Sequence, residues 1–218
     1  MELNPLPALS PIDGRYARQT DALRDIFSEC AFMNARVRVE VEWLISLSEA
    51  GFAELPHLSD HGKAFLRGLA DNFSLADCEA IKEIEKTTNH DVKAVEYWIK
   101  NQVAHDEELK SASEFVHFSC TSEDINNTSH AIMLKRGREA LADYLQQIHD
   151  TIAGFAHQWA EIPMLSRTHG QTASPTTVGK EFANVAVRLE RVIEAIRAVK
   201  IYAKMNGAVG NYNAHLVS

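Results

Sequence analysis

Apolar positions in the second half of the chain recur at alternating steps of four and three residues. One series is Leu141, Leu145, Ile148, Ile152, Phe155 and Trp159, and a second is Val178, Phe182, Val185, Leu189, Val192, Ile196 and Val199. This spacing keeps one apolar stripe against a partner helix over many turns. It predicts long helices, the first over residues 122–160, with a length of roughly 58 Å at 1.5 Å per residue. Such a helix is too long for a compact chain of 218 residues. It indicates a bundle that continues into other chains or into further sequence.

The first half of the chain contains shorter segments of helical spacing. They cover residues 21–50, 60–71, 75–86 and 91–103. Residues 1–20 are predicted to form an extended arm with a turn at Asp13-Gly14. Because no alternation typical of strands competes with these patterns, the predicted fold class is all-α.

A polar stretch at residues 105–112 suggests a boundary between two domains. We expect a small helical N-terminal domain over residues 1–111 and the first part of a long-helix bundle domain over residues 112–218.

Composition and charge narrow the class of protein. Hydrophobic residues make up 45% of the chain, and the net charge is -8. No basic run alternates with aromatic residues, so nucleic acid is not an expected partner. No apolar run approaches the roughly 20 residues of a membrane span, and the N-terminus lacks the basic start and apolar stretch of a signal peptide. We therefore expect a soluble cytoplasmic protein, in which any anionic ligand is held by specific local donors.

The cysteines and two closely spaced histidines do not indicate a metal site. Cys30, Cys78 and Cys120 are odd in number and far apart, which argues against a disulfide framework or a Cys-x-x-Cys site. His57 and His61 have a spacing that can suit a metal, but no third ligand lies near them. No metal is expected.

Polar residues gather at four predicted helix ends, beginning with two clusters in the first half. In SPIDGRY, residues 10–16, Arg15 offers a planar fork of donors that suits phosphate, and Tyr16 adds a phenol. The alternative is a surface arginine beside a tyrosine.

The second cluster is KTTNHDVK, residues 86–93. Here Asn89 or Asp91 can cap the following helix. That structural role does not explain His90.

The third cluster, SCTSEDINN, spans residues 119–127. Thr121 and Asp124 have the spacing of a capping box, which alone could account for the motif. The functional alternative is an anion site, formed by the free backbone N–H groups with the hydroxyls of Thr121 and Ser122. Glu123 and Asp124 weigh against an anion unless their side chains point away.

The fourth cluster is LSRTHGQTASPTT, residues 165–177. Ser174-Pro175 is typical of a helix N-cap followed by the first helical residue. Histidine exchanges protons near neutral pH, and Gly170 allows close approach of the backbone to a ligand. Capping leaves several polar residues unexplained, namely Arg167, Thr168, His169 and Gln171.

The ordered motifs SCTSEDINN and SRTHGQTASPTT, separated by a long helix, resemble two signature regions of the fumarase/aspartase superfamily of lyases. DGRY, TTNHDVKAVEY and the later GAVGNYNAH are similar, within that superfamily, to bacterial adenylosuccinate lyases. The resemblance covers the chain from SPIDGRY to NAH. It implies an all-helical protein with a small N-terminal domain and a central bundle. Four identical subunits would contribute helices to that bundle and would share active sites.

The resemblance also implies a reaction. In it, β-elimination releases fumarate from adenylosuccinate, giving AMP, and from succinyl-aminoimidazole carboxamide ribotide, without metal or organic cofactor. His169 would be the general acid, and His90 would orient substrate or stabilise charge. The implied binding roles are the succinyl carboxylate for Thr121 and Ser122, the phosphate for Arg15 and Tyr16, the base or ribose for Asn89 and Asp91, and supporting positions for Thr168 and Gln171.

One part of the family pattern is missing from these 218 residues. The flexible Ser-Ser-x-x-Met-Pro-x-Lys-x-Asn loop, whose serine is the expected general base, does not occur, and neither does the C-terminal domain. We therefore expect an N-terminal portion that is inactive alone.

Two alternatives stay open. One is another superfamily lyase, such as argininosuccinate lyase, and the other is a non-catalytic helical assembly protein. Binding of AMP would discriminate the first of these.

Overall fold

The computed structural model describes residues 6–51 and 54–217. The regular secondary structure of this part of the chain is helical except for one two-stranded hairpin, which confirms the all-α fold class. The helices are α1 Arg24–Phe27, α2 Glu29–Ala50, α3 Asp60–Asp71, α4 Leu75–Thr88, α5 Asp91–Val103, α6 Glu107–Ala112, α7 Ser122–Gln158, α8 Val178–Ala198 and α9 Asn213–Val217, and the strands are β1 Pro163–Thr168 and β2 Gln171–Thr177. Within the described ranges, no helix is both long and apolar enough to cross a membrane.

The described residues form two compact units. The first comprises residues up to Leu134 together with those from Tyr202 onward, and the second is Lys135–Ile201. Helix α7 begins in the first unit and ends in the second. The division into domains at residues 111 and 112 remains a prediction.

The core of the first unit is built around α2, which packs against α3, α4 and α5. Val37, Val41 and Leu44 follow one another at helical spacing and are fully buried. Val95 and Ile99 of α5 are buried in the same core. The helix predicted over residues 21–50 is broken, because the Ser28 side chain caps α2 by accepting a hydrogen bond from the Ala31 N–H.

The N-terminal arm is not extended where it is described. From residue 6 to residue 20 it forms successive turns, in which the Gly14 N–H donates to the Ser10 carbonyl at 2.9 Å and the Tyr16 N–H to the Pro11 carbonyl at 2.8 Å. The predicted turn at Asp13-Gly14 lies within this series. Residues 1–5 of the predicted arm lie outside the described residues.

The second unit contains the remainder of α7, the hairpin and α8. The 37-residue α7 confirms the predicted long helix. Phe155 and Trp159 of α7 stack with ring centroids 4.8 Å apart, and Phe182 of α8 packs on both rings. Gly179 allows a close approach of the two helices, since a Cβ there would lie 2.3 Å from the Ala156 carbonyl oxygen.

The hairpin corrects the expectation that no segment forms strands. β1 and β2 pair antiparallel through a two-residue turn, in which His169 has φ 51° and Gly170 has φ 75°. Tight hairpin turns of this kind require positive φ at both central residues. Pro175 lies in β2 opposite Leu165, and Thr177 caps α8. The predicted N-cap at Ser174-Pro175 is therefore wrong, because the strand continues through Pro175.

The argument against a disulfide is also wrong. Cys30, near the start of α2, is bonded to Cys78 in α4, with the two Cα atoms 5.7 Å apart. Their separation of 48 residues gave no hint of this pairing, because the packing of the two helices creates it. Cys120 is a free thiol.

Candidate functional site

The second and third polar clusters meet in the first unit. His90 caps α5, and its Nδ1 accepts a hydrogen bond from the Lys93 N–H at 3.2 Å. In the neutral ring this leaves the proton on Nε2, which lies 3.4 Å from the Ser122 hydroxyl at the start of α7. An imidazole and a hydroxyl thus face each other across two helix N-termini.

The caps at this site differ from those predicted. Asn89 ends α4 with φ 50°, a left-handed conformation that asparagine tolerates well. Asp91 is the first residue of α5, and His90 is its cap. The prediction that Asn89 or Asp91 caps α5 is therefore wrong, because the imidazole Nδ1 takes the position of the usual cap oxygen.

Arg36 of α2 fixes Asp91 and so holds three helices together. Its Nη2 lies 2.5 Å from the Asp91 carboxylate, and its Nε donates to Asn126 of α7 at 2.9 Å. The guanidinium is nearly buried and stacks over the Phe32 ring at 3.9 Å. Partial burial raises the pKa of Asp91, but the Arg36 charge and the hydrogen bond from the Val92 N–H outweigh it, and the pKa is lowered.

Asp124 organises the third cluster. Its carboxylate accepts a hydrogen bond from the Thr121 N–H at 2.9 Å, as the capping-box spacing predicted. It also accepts from Lys204 Nζ at 2.8 Å and from the Asn206 and Gly207 N–H groups at 3.1 and 3.2 Å. The Asp124 side chain is fully buried, so these hydrogen-bond donors compensate its negative charge inside the protein.

These contacts bring the GAVGNYNAH segment beside Thr121. A cavity of about 220 Å³ lies between them. It is lined by Ser119, Cys120, Thr121, Asn206, Gly207, Ala208, Val209, Asn211, Asn213 and Ala214. This lining combines backbone and amide groups with apolar side chains.

Arg15 and Tyr16 lie elsewhere in the first unit. Both are exposed, and the Arg15 guanidinium carbon is 5.7 Å from the Tyr16 ring centroid. With Ser10, Pro11 and Gly14 they line an open hollow of about 450 Å³. Among the described residues, those that line this hollow include no member of the clusters around His90 and Ser122.

The remaining predicted residues occupy the hairpin of the second unit. Thr168 and Gln171 pair across the turn, and His169 is the first of its two central residues. All three side chains are exposed. The structure therefore brings together the clusters around His90 and Ser122 in the first unit, and within the second unit it displays His169 on a tight turn.

Some residues of the site went unnoticed in the sequence. Arg36 and Lys204 were missed because each is more than 50 residues from its partner. Glu40, which is buried, and its partly buried partner His117 were missed for the same reason. The described residues contain no group of three or more His, Cys, Asp or Glu arranged to hold a metal ion.

An imidazole and a hydroxyl thus meet at the N-termini of α5 and α7 in a largely helical fold, which is an arrangement typical of helical enzymes that bind a ligand through side chains and backbone amides. A sequence model described as "Lyase" matches residues 14–218, and the chain belongs to that lyase family.

The curated relatives are more specific in name. The chain is 55% identical to the adenylosuccinate lyase of Vibrio cholerae over 218 residues, covering 99% of this chain and 48% of the relative. It is 52% identical to that of Escherichia coli over 220 residues, again covering 48% of the relative. The chain thus spans about half the length of the curated relatives it matches.

Solved structures agree on the fold. A fumarate lyase from a Mesorhizobium species superposes with a TM-score of 0.70 at 19% identity, over 89% of this chain and 44% of that one. A β-carboxy-cis,cis-muconate cycloisomerase from Acinetobacter calcoaceticus superposes with a TM-score of 0.68 at 21% identity, over the same shares. At these identities the likeness concerns the fold alone.

Proposed function

We propose that the chain is part of a lyase that eliminates fumarate from adenylosuccinate, giving AMP, and from succinyl-aminoimidazole carboxamide ribotide. The observation that carries the proposal is the meeting of His90 with Ser122 at the N-terminus of a 37-residue helix. The similarity to relatives named adenylosuccinate lyase supplies the reaction. The expected compartment is the cytoplasm, and neither nucleic acid nor membrane is an expected partner.

The elimination requires donors where charge develops. Removal of the proton next to a succinyl carboxylate builds negative charge on that carboxylate. Thr121 and Ser122 stand at a helix N-terminus, where free N–H groups and the helix dipole favour an anion. Because Lys204 neutralises the buried Asp124, that acid does not oppose such binding. His90 would orient the substrate or stabilise this charge.

The leaving nitrogen requires an acid, and His169 is our candidate. The tight turn presents its imidazole to the outside of the second unit. Thr168 and Gln171 flank it on the two strands and would support the substrate. Arg15 and Tyr16 would hold the phosphate, and Asn89 and Asp91 the base or ribose. The chemistry needs no metal or organic cofactor.

Exposed apolar residues support an assembly of several subunits. Leu141, Ile148 and Phe155 of α7, seven residues apart, are more than a third exposed. Val185, Val192 and Val199 repeat the same step at α8 and its C-terminal end, and are about half exposed. This is the repeat of helices that pack on further helices. We propose a homotetramer of the whole protein, with active sites shared between subunits.

The first experiment is an assay of adenylosuccinate absorbance with this chain alone and with the chain extended along its reading frame. Argininosuccinate is the control substrate. We expect the 218-residue chain to be inactive, because the general base is assigned to the later flexible loop, and we expect the extended chain to be active. Turnover by the chain alone would contradict this assignment. Cleavage of argininosuccinate would favour another lyase, and inactivity of both forms would favour an assembly protein.

The role of His169 is tested in the extended chain with His169→Asn. Asparagine tolerates positive φ, so the turn is kept while the proton donor is removed. Turnover should fall by about 10²–10⁴-fold, the usual contribution of a general acid. His105→Asn, at an exposed histidine of the first unit, is the matched control. Turnover of His169→Asn close to that of the control would reject the assignment.

A further inference from the structure

The loop that leads into α7 has an uncommon backbone. His117 has φ 64° and Ser119 has φ 60°. Residues other than glycine rarely adopt positive φ, and they keep it only where surrounding contacts hold it. Thr121 and Ser122 follow directly, so the conformation of this loop decides where their hydroxyls lie.

Two contacts from one face of α2 hold the loop. Glu40 Oε1 lies 2.6 Å from His117 Nδ1, and Trp43 Nε1 donates to the Phe118 carbonyl at 2.8 Å. Glu40 and Trp43 are three residues apart and therefore neighbours on the helix surface. The loop is thus fastened at two successive residues.

Packing alone does not explain a carboxylate at the position of Glu40. Its side chain is fully buried, and so are Val37 and Val41, which lie near it along α2. Its Oε2 has no hydrogen-bond partner among the described residues. A buried carboxyl needs partners to offset its desolvation, and the partner that the structure supplies is His117.

Other charged groups surround the pair. Glu96 of α5 is buried and lies close enough to influence both groups, and Lys93 and Lys100 pair with it. Burial raises the pKa of the Cys120 thiol well above its ordinary range. The negative charges of Glu40 and Asp124 raise this pKa further.

Burial raises the pKa of Glu40 above its ordinary value, although His117 opposes this. Burial lowers the pKa of His117, but the hydrogen bond to Glu40 and the charges of Glu40 and Glu96 outweigh it and raise that pKa.

We propose that Glu40 is a positioning residue, whose hydrogen bond to His117 holds the loop with its left-handed residues His117 and Ser119 and so sets Thr121 and Ser122 against His90. The use of this arrangement in catalysis rests on the proposed function. The positioning itself does not, and it is measurable without substrate.

The test is an NMR titration of the histidine rings and of the backbone amides of residues 119–122 in the 218-residue chain. We expect His117 to titrate above its ordinary pKa of about 6.5, and the amide shifts to follow with the same midpoint. Glu40→Gln keeps the size of the side chain and its ability to hydrogen-bond, but removes the charge. It should lower the His117 midpoint by about one pH unit or more, and weaken the proximity signal between His90 and Ser122.

Two variants serve as controls. Glu42→Gln removes an exposed carboxylate of the same helix, which pairs with Arg67, and should change neither the titration nor the amide shifts. Trp43→Phe removes the hydrogen bond to the Phe118 carbonyl and should leave the midpoint of the His117 titration unchanged.

The proposal is overturned if Glu40→Gln behaves like Glu42→Gln. It is equally overturned if the amides of residues 119–122 do not follow His117 in the unmutated chain, a measurement that needs no variant to fold. Because no turnover enters the readout, failure here is distinct from failure of the lyase assay.

Discussion

At the scale of the residue, Asp124 is the most connected side chain of the candidate site. Burial raises the pKa of its carboxyl, but the hydrogen bonds from Lys204 and from the Thr121 and Asn206 N–H groups outweigh burial, and the pKa is lowered. A carboxylate whose pKa is lowered by folding stabilises the folded state at pH values above the pKa that it has in the unfolded chain. Asp124 therefore couples the start of α7 to the segment after residue 202 through its negative charge.

Asp124→Asn should release that segment. The amide cannot match the charge of Lys204, and it can no longer accept from all four donors. We expect a loss of about 1–3 kcal/mol in the free energy of unfolding, and faster hydrogen exchange at the Asn206 and Gly207 amides. Glu123→Gln, at the exposed neighbouring acid, is the control and should change neither. Unaltered exchange in Asp124→Asn would show that the segment is held by other contacts.

The Glu40–His117 pair predicts a pH dependence of the opposite sign. Both groups have a raised pKa in the folded protein, so the folded state binds more protons than the unfolded state. The stabilisation that protonated His117 gains beside Glu40 is fully present at pH values below the unfolded pKa of histidine, about 6.5. It is lost as the pH rises through the folded pKa of His117. Denaturant unfolding between pH 6 and 9 should therefore show falling stability. The decline should be shallower in Glu40→Gln, and an equal slope in both proteins would refute the linkage.

The sequence predicted contacts between residues that lie close together in the chain. The hydrogen bond between Asp124 and the Thr121 N–H was predicted, because the two residues of a capping box are only three positions apart in the sequence. The contact with Lys204 spans 80 residues and is created only by folding. His90 was singled out because capping failed to explain it. It proves to be the cap itself, a role in which histidine is uncommon.

At the scale of the element, the long helices were predictable because their apolar period is local and repeats many times. The hairpin was not, since its turn is His169-Gly170 rather than the common Asn-Gly or Asp-Gly. Its available signal was a glycine that follows a residue able to adopt positive φ. Polar residues at 165–177 suggested a loop, whereas the backbone pairs with itself on the surface of the second unit.

The contact between α7 and α8 gives a matched pair of glycine predictions. Gly179→Ala should destabilise the second unit by about 1–3 kcal/mol, since a Cβ would lie 2.3 Å from the Ala156 carbonyl oxygen and 2.5 Å from the Ala160 Cα. Gly154→Ala, where nothing lies within 4 Å, should stabilise α7 by about 0.5–1 kcal/mol. Thermal unfolding of the two variants measures both. Equal effects would mean that the helices separate at little cost.

At the scale of the whole molecule, the disulfide makes stability depend on redox conditions. The bond between Cys30 and Cys78 closes a loop of 48 residues. Its reduction should lower the free energy of unfolding by about 2–4 kcal/mol. Thiol labelling of the unfolded, unreduced chain should find Cys120 alone, and three thiols after reduction. Cys120→Ser should leave the effect of the reductant intact, while three thiols without reductant would exclude the bond.

The ion pair between Asp124 and Lys204 also has a consequence for synthesis on the ribosome. Lys204 is made 80 residues after Asp124, which at about 5–20 residues per second is a delay of about 4–16 s. During that interval the carboxylate has none of its three later donors, and the beginning of α7 must remain hydrated. Closure of the first unit around Asp124 must therefore wait until that lysine has been synthesised, and until then the nascent chain has to keep this carboxylate in contact with water.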